Sequence, residues 1–417
     1  MIDYPNKLNI IFDKLDYFNI KPIIIGGYVR DFLLDISSKD IDIELYGIES
    51  YEKLENILEE FGTVNRVGKS FGVCKLQFDD LDLDFSLPRT DNKIAQGHRG
   101  FKVITNKTLD FQTATKRRDF TINAIGYDVI KKKILDPFHG IKDLENGVLS
   151  AVDITKFDED PLRVLRAVQF SARFHFKLDS VLFTKCSNMI KSGVLNELPS
   201  ERILEEIKKL LLKSKKPSKG ILLLKKLHGF LYFNELSTLN YTEFTHILKS
   251  LDYLANEYTL EEKKMLTLHL SILSFYLSKA ARFHFIKKLS SEKKLIANIN
   301  KLIDNTKDLN LDNLSNFSIF LLATKVNIEE LSLFLKALFL DKKNDEIKEL
   351  CKRAKELGVF TNPLTPLLQG KDLLQLNLQA SKKFSEILDK AYILQMKEKF
   401  KTYPEALLWL KEELQLT

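Results

Sequence analysis

The spacing of apolar residues changes near residue 150, and this change constrains the fold more than any other feature of the 417-residue sequence. Before it, PIIIGG (22–27), DIDIELYG (40–47), FGVCKLQF (71–78), LDLDFSL (81–87) and INAIGYDV (122–129) alternate or concentrate β-branched residues between Gly, Asp and Pro, which is strand punctuation. After it, DPLRVLRAVQFSARF (160–174), SERILEEIKKLLL (200–212), EEKKMLTLHLSILSFYL (261–277) and YPEALLWLKEEL (403–414) place apolar residues at helical spacing. The pattern predicts an α/β head followed by an all-helical remainder. Candidate breaks fall at 213–220, 304–316 and 358–370, and no internal repeat or low-complexity tract occurs.

At 44% hydrophobic residues the chain can bury sizeable cores, and its length suggests two to four domains. The start lacks a charged stretch followed by an apolar one, and lysines cut apolar runs such as LSLFLKALFL (331–340) short of a membrane span, so a cytoplasmic protein without membrane association is expected. Cys74, Cys186 and Cys351 fit neither a disulfide framework nor a zinc spacing and are read as core thiols. The net charge of +7 suits a polyanionic partner. Positive charge gathers in KKLLLKSKKPSK (208–219) and KRRDF (116–120), and negative charge in KDIDIE (39–44) and DDLDLD (79–84).

In KDIDIE, a strand puts Asp40, Asp42 and Glu44 on one face, with same-face neighbours roughly 7 Å apart. Such a row is either the wet face of an edge strand or a site for a hard divalent cation, whose preference for oxygen ligands relieves the repulsion. The preceding GGYVRD (26–31) favours the cation. Gly26 and Gly27 at a strand-to-helix junction let an anion approach backbone amides, and Arg30 adds a guanidinium. The stretch is neither a Walker A loop nor a G-x-G-x-x-G turn. Asp82 and Asp84 form a second alternating pair. A neighbouring strand there supplies the third carboxylate of a two-metal site, with Asp84 the choice, while Asp79, Asp80 and Asp82 also suit an acidic hairpin tip.

Further on come RRDFTINA (117–124), ILDPFHGIKDL (134–144) and EDPLRVLRAVQFSARF (159–174). Asp160 and Pro161 make an N-cap and first-turn signature, and Arg163 and Arg166 follow on one helical face toward Arg173. Arginines so arranged repel unless they meet an anion or acids.

The order G-G-x-V-R-D, D-x-D, R-R-D-F-T-I-N-A, D-P-x-x-G, E-D-x-x-R and ELPSERILEE (197–206) resembles the class II tRNA nucleotidyltransferases, the CCA-adding enzymes and their bacterial poly(A) polymerase relatives. QGKDLL (369–374) is similar to a further CCA-enzyme element. The resemblance implies an α/β polymerase-β-like nucleotidyltransferase head (1–140), a helical nucleotide-selecting neck (141–212), a helical body (213–357) and a helical tRNA-binding tail (358–417). It implies Asp40 and Asp42 as ligands of Mg²⁺, with Asp84 the third catalytic carboxylate, and gives Glu44 no such role. Gly26, Gly27, Arg30 and Arg118 contact the triphosphate, and Asp160, Arg163 and Arg166 face the incoming nucleotide. The implied partners are tRNA, through its acceptor arm and 3′ end, with CTP and ATP; no obligate protein partner is evident.

Two departures stand out. Gln169 occupies a place where many members carry another arginine, and in TLHLSIL (267–273) Leu270 follows His269, so the His-Asp pair of a phosphohydrolase domain is missing and His269 reads as a core residue. VGKSFGVCKLQF (67–78) lacks the basic pair associated with bacterial poly(A) polymerases, which favours CCA addition. The alternatives are a poly(A) polymerase, a partial enzyme adding only CC or only A, and an inactive RNA-binding relative.

Overall fold

The structure is a computed structural model that describes residues 2–48, 50–65, 73–93, 101–105, 109–257, 260–307, 309–312, 314–376 and 382–414, with backbone only at 90–93, 101–105 and 382. It divides into two compact units, Met1–Asn234 and Glu235–Thr417.

The first unit begins with helix α1 (Asn9–Tyr17), strand β1 (Lys21–Ile25), α2 (Gly27–Leu33), β2 (Ile41–Tyr46), α3 (Tyr51–Leu58), β3 (Thr63–Asn65), β4 (Val73–Phe78) and β5 (Leu81–Ser86). A two-stranded ribbon of β6 (Arg89–Lys93) and β7 (Phe101–Thr105) follows, then α4 (Phe111–Thr115), β8 (Gly126–Asp128) and β9 (Lys133–Leu135). Seven strands form one sheet in the order β3-β4-β5-β2-β1-β8-β9. Within it β2 and β5 run parallel, and the other neighbours are antiparallel.

Register sorts the side chains between the two faces. Ile24 pairs with Ile43 and Tyr127, and Ile43 with Phe85; this row is buried, on the face whose apolar side chains α1 and α3 help to cover. The adjacent row, Ile25, Asp42 and Asp84, points to the opposite face, because successive strand residues alternate. There Ile23, Ile25, Tyr46 and Ala114 make a small apolar cluster with Phe111 and Leu135, leaving the carboxylates at its margin. Residues 122–125 are not strand: Thr121–Asn123 form a tight helical turn, because Thr121 Oγ1 donates to Asp143 and Asn123 is held by Asp119 and Arg30.

The rest of this unit is α5 (Gly140–Asn146), a short parallel ladder of β10 (Val148–Leu149) with β11 (Lys177–Leu178), α6 (Leu162–Phe174), α7 (Ser180–Lys191), α8 (Ser200–Leu212) and α9 (Pro217–Lys226). Helix α6 packs against α8 and α9, and a Cβ on Gly220 of α9 would lie 2.1 Å from Leu210 Cδ1, so glycine permits the close approach. The basic stretch 213–216 is thus a connection inside this compact unit. The finer division into neck, body and tail remains a proposal.

The second unit is helical: α10 (Tyr241–Asn256), α11 (Glu262–Leu273), α12 (Lys279–Leu289), α13 (Lys293–Lys307), α14 (Asn316–Lys325), α15 (Ile328–Phe339), α16 (Asn344–Glu356), α17 (Gly370–Gln375), α18 (Lys382–Met396) and α19 (Tyr403–Glu413). Side chains close the helix starts, as at Asn240, Ser278, Ser315 and Asn327, by accepting from first-turn amides. QGKDLL caps α17: Gln369 and Asp372 make a reciprocal capping box, and Tyr403 Oη donates to Asp372 Oδ1 at 2.8 Å. His269 is buried in α11, in agreement with its reading as a core residue. Cys74 and Cys186 are buried and Cys351 is half-buried. No helix among the described residues is long and apolar enough to cross a membrane.

Candidate active site

The parallel pairing of β2 with β5 sets Asp42 opposite Asp84. Asp82 faces the same way one step back on β5, and Asp40 stands exposed just before β2. On β4, Lys75 is the antiparallel partner of Asp84, and its Nζ lies 2.8 Å from both carboxylate oxygens. The Asp42 side chain reaches solvent, yet the protein around it strips enough hydration to push its carboxyl above the usual range; Asp84 and Asp40 push the same way, and Arg118 opposes them. Among the described residues no three His, Cys, Asp or Glu side chains already form a metal cage. A hard cation bound with incomplete protein ligation takes one or two carboxylates, with phosphate oxygens and water completing the shell. The donor set here, all carboxylate oxygen and crowded, fits such an ion.

Glu44 differs from its neighbours on the strand. It is fully buried, and its oxygens accept from Tyr46 Oη and, at 3.0 Å, from Arg117 Nη2.

The glycine turn closes the end of β1. Gly26 has φ +69°, in the left-handed region that favours glycine, and a Cβ there would lie 2.6 Å from Arg118 Nη1. Arg118 is thereby laid against the backbone at the start of α2. Its Nη1 donates to Asn123 O at 3.0 Å, and its buried Nε has no partner among the described residues. Burial, and then Arg117, lower the guanidinium's pKa, and Glu44 and Asp42 support its charge. Arg30 lies beside Gly27, its Nη2 3.7 Å from where a Cβ there would stand. It is buried, paired with Asp31 at 2.6 Å, bonded to Asn123 Oδ1 at 2.6 Å and stacked over Phe170 and Phe174 of α6. At the Gly26 turn itself, Arg118 supplies the guanidinium.

Helix α6 carries the remaining candidates. Asp160 precedes it in extended backbone; its Oδ1 accepts from Leu162 N at 3.1 Å, and Arg202 of α8 stands 3.5 Å from its Oδ2. Arg163 donates to two main-chain carbonyls, Lys156 O at 3.0 Å and Arg117 O at 2.8 Å. Two of its five N–H donors are thus used, and the planar group is fixed in orientation. Arg166 pairs with the buried Asp119 at 2.6 Å and approaches Glu206 at 3.9 Å. Asp119 lies below the usual carboxylate range although burial acts against this, because Arg166, Asn123 and the Phe120 amide hold its charge. Gln169 is buried with Oε1 unpartnered.

The structure therefore gathers Asp42, Asp84, Gly26 and Arg118 around one end of β1 and β2, ties Arg163 to the peptide of Arg117, and sends Arg30 and Arg166 into an interior ion network. Glu44 was read from the sequence only as a member of the acidic row without a metal role, and Arg117, Asp119, Asn123 and Arg202 were not singled out. The last four lie within RRDFTINA and ELPSERILEE, so the signal was present, but nothing in the sequence tells a buried partner from a ligand contact. The first residues of VGKSFGVCKLQF, 67–72, lie outside the described residues.

The first unit is thus a mixed sheet with facing carboxylates on adjacent strands and a glycine turn at the end of β1, followed by a helical layer. Residues 23–150 match the poly A polymerase head domain model. A multifunctional CCA protein of Nitrosospira multiformis is 36% identical over 188 residues, 45% of this chain and 43% of the relative. This chain spans about half the length of the curated relatives it matches. The fold extends further, being that of class II CCA enzymes over nearly the whole chain. The CCA-adding enzyme of Bacillus stearothermophilus, solved with CTP, superposes with a TM-score of 0.74 at 19% identity over 99% of this chain and 98% of that one. The Thermotoga maritima CCA-adding enzyme, complexed with tRNA, gives 0.65 at 21% identity over 99% and 97%.

Proposed function

We propose that this protein adds C, C and A to tRNA 3′ ends from CTP and ATP without a nucleic-acid template, releasing pyrophosphate. The observation that carries this reading is the Arg117–Arg118 dipeptide. Arg118 lies against the Gly26 turn within electrostatic reach of Asp42, while the carbonyl of Arg117 aims Arg163 beside Asp160. One short segment thus joins a triphosphate-binding turn and a carboxylate pair to a base-reading pair. Relatives of the same fold solved with CTP and with tRNA support it.

Asp40 and Asp42 would hold Mg²⁺, with Asp84 as the third catalytic carboxylate, and the ion would supply charge neutralisation for the attacking and leaving oxygens. Arg118 and the amides after Gly26 and Gly27 bind the triphosphate. Arg30 and Arg166 act from behind, pinning α2 and α6 to the 118–123 segment. The tRNA 3′-hydroxyl attacks the α-phosphorus, its proton leaves, and the bond to pyrophosphate breaks.

Selection follows from donor and acceptor patterns. Cytosine and adenine each present an amino donor beside a ring-nitrogen acceptor, and uracil and guanine present the reverse. Asp160 only accepts and Arg163 only donates, so the pair suits C and A and leaves buried groups unpaired against U and G. Affinity for tRNA comes from shape and phosphate contacts, to which the exposed Lys213, Lys215, Lys216 and Lys219 contribute, and it falls steeply with salt.

The test is incorporation of each of the four triphosphates, singly and together, onto tRNA transcripts ending at the discriminator, at C and at CC. C, C and A in order is expected. Runs of A indicate a poly(A) polymerase, C alone or A alone a partial enzyme, and no addition an inactive relative.

A further inference from the structure

Glu44 is the one carboxylate of the KDIDIE row that neither the chemistry nor the base reading proposed above uses. It is fully buried, and a carboxylate stripped of water persists only where partners replace its hydration. What it holds is therefore informative. Its two oxygens are occupied by Tyr46 Oη and Arg117 Nη2, which leaves it no role as a solvent-facing ligand. Burial, and then the Glu44 charge, push the Tyr46 hydroxyl pKa up, so that group remains a donor.

Arg117 lies in the bend between α4 and the Thr121–Asn123 turn, where a single turn hydrogen bond, from Arg118 N to Thr115 O at 2.9 Å, holds the Arg117–Arg118 peptide locally and the Arg117 side chain ties the bend to β2. Its side chain is anchored by Glu44, and its carbonyl accepts from Arg163 Nη2 at 2.8 Å. A chain of contacts thus runs from Tyr46 and Glu44 on the strand of Asp42, through Arg117, to the guanidinium at the start of α6.

We propose that Glu44 is a positioning residue for base selection: through Arg117 it fixes the plane of Arg163 relative to the carboxylates of β2. The inference rests on the reading of Arg163 as a base-facing group. Hydrogen bonds to a base edge depend steeply on angle, so a tilt of the Arg163 plane weakens the contact to C and A and relaxes the rejection of U and G.

The experiment measures kcat/KM for each of the four triphosphates on tRNA transcripts ending at the discriminator and at CC, with the full chain as wild type, Glu44→Gln, Arg117→Ala and the double variant. Each single variant is expected to lower the C-over-U and A-over-G ratios roughly tenfold. The double variant should be no worse than Arg117→Ala, because Glu44 acts only through Arg117. Unchanged ratios in folded single variants, a loss of rate equal for all four nucleotides, or additive losses in the double variant overturn the proposal. If Glu44→Gln fails to fold, Arg117→Ala decides on the same ratios. A wild-type protein that adds neither C nor A overturns the underlying reading and this inference with it, whereas a selective wild type with equally selective variants overturns the positioning role only.

Discussion

Asp42 and Asp84 stand opposite each other across the one parallel pairing of the seven-stranded sheet, and Lys75 on the far neighbour of Asp84 neutralises only one of them. The exposed Lys75 competes with any cation for the Asp84 carboxylate. A solvent-screened pair of this kind is worth about 0–1 kcal/mol. Lys75→Met should therefore lower the Mg²⁺ concentration for half-maximal addition by up to about fivefold, a shift read from a magnesium titration at saturating CTP. Asp40→Ala and Asp42→Ala should abolish addition while tRNA binding persists, as checked by filter binding. A Lys75→Met enzyme that needs more magnesium would place the lysine among the supports of the site.

Gly26 and Gly27 are predicted to respond differently to alanine. At Gly26 the backbone is left-handed and the new Cβ meets Arg118 Nη1, whereas at Gly27 the nearest atom is Arg30 Nη2 at 3.7 Å and φ is not positive. A non-glycine residue in the left-handed region costs about 1–2 kcal/mol. Gly26→Ala should lower the melting temperature by a few degrees and weaken triphosphate binding, while Gly27→Ala melts close to wild type. Paired thermal scans, with and without CTP, separate the two.

The alternation of KDIDIE and LDLDFSL showed which residues share a face, because strand period is a local property. That Asp84 rather than Asp82 stands opposite Asp42 follows from the register of a parallel pairing between strands about 40 residues apart, which no local pattern carries. Arg30 and Arg166 read as ligand-facing because arginines beside a glycine turn or along a helix face commonly are; in the structure the buried Arg30 pairs with Asp31 and the partly exposed Arg166 with Asp119. The burial of Glu44 was not legible for the converse reason. Its spacing is that of its exposed neighbours, and only the arrival of Tyr46 and Arg117 distinguishes it. INAIGYDV carries β-branched residues, yet Thr121 and Asn123 spend their polar groups on Asp143, Asp119 and Arg30, and the strand is shortened to Gly126–Asp128.

Arg166 and Asp119 should prove unequal partners. Asp119 is enclosed, whereas Arg166 keeps part of its surface in water and has Glu206 nearby. Arg166→Ala strands a buried carboxylate, a loss of about 2–4 kcal/mol after allowance for its remaining donors, Asn123 and the Phe120 amide. The folded-state pKa of Asp119 is depressed, so its contribution is present above the unfolded carboxylate pKa and is lost as pH falls through the folded value. Without Arg166 the folded value rises, and acid unfolding should begin at higher pH than in wild type. Denaturant titrations at stepped pH measure both effects; equal stability across the pH range would deny the pair its structural role.

His269 provides the pH dependence of the second unit. Its Nδ1 lies 2.8 Å from Met265 O, and a carbonyl only accepts, so Nδ1 carries the proton and the buried Nε2 is a lone pair without a donor. Burial pushes the imidazole down to about 4, against an unperturbed value near 6.5. The sign follows: between these values the unfolded chain binds a proton that the folded chain refuses, so stability rises with pH through this window and is complete above the unfolded pKa. At pH 5 the cost is about 2 kcal/mol relative to pH 7.5. His269→Leu removes the titration while keeping an apolar side chain of similar size, and Met265 O retains the helix amide four residues on as its donor. Trp409, the chain's single tryptophan, lies in the same unit within the cluster of α17, α18 and α19, and its fluorescence follows that unit's unfolding in urea. Wild type should lose stability relative to His269→Leu by about 2 kcal/mol on going from pH 7.5 to 5. Parallel pH profiles for the two proteins would mean that the imidazole takes up its proton in place, through an opening of α11 that solvates Nε2.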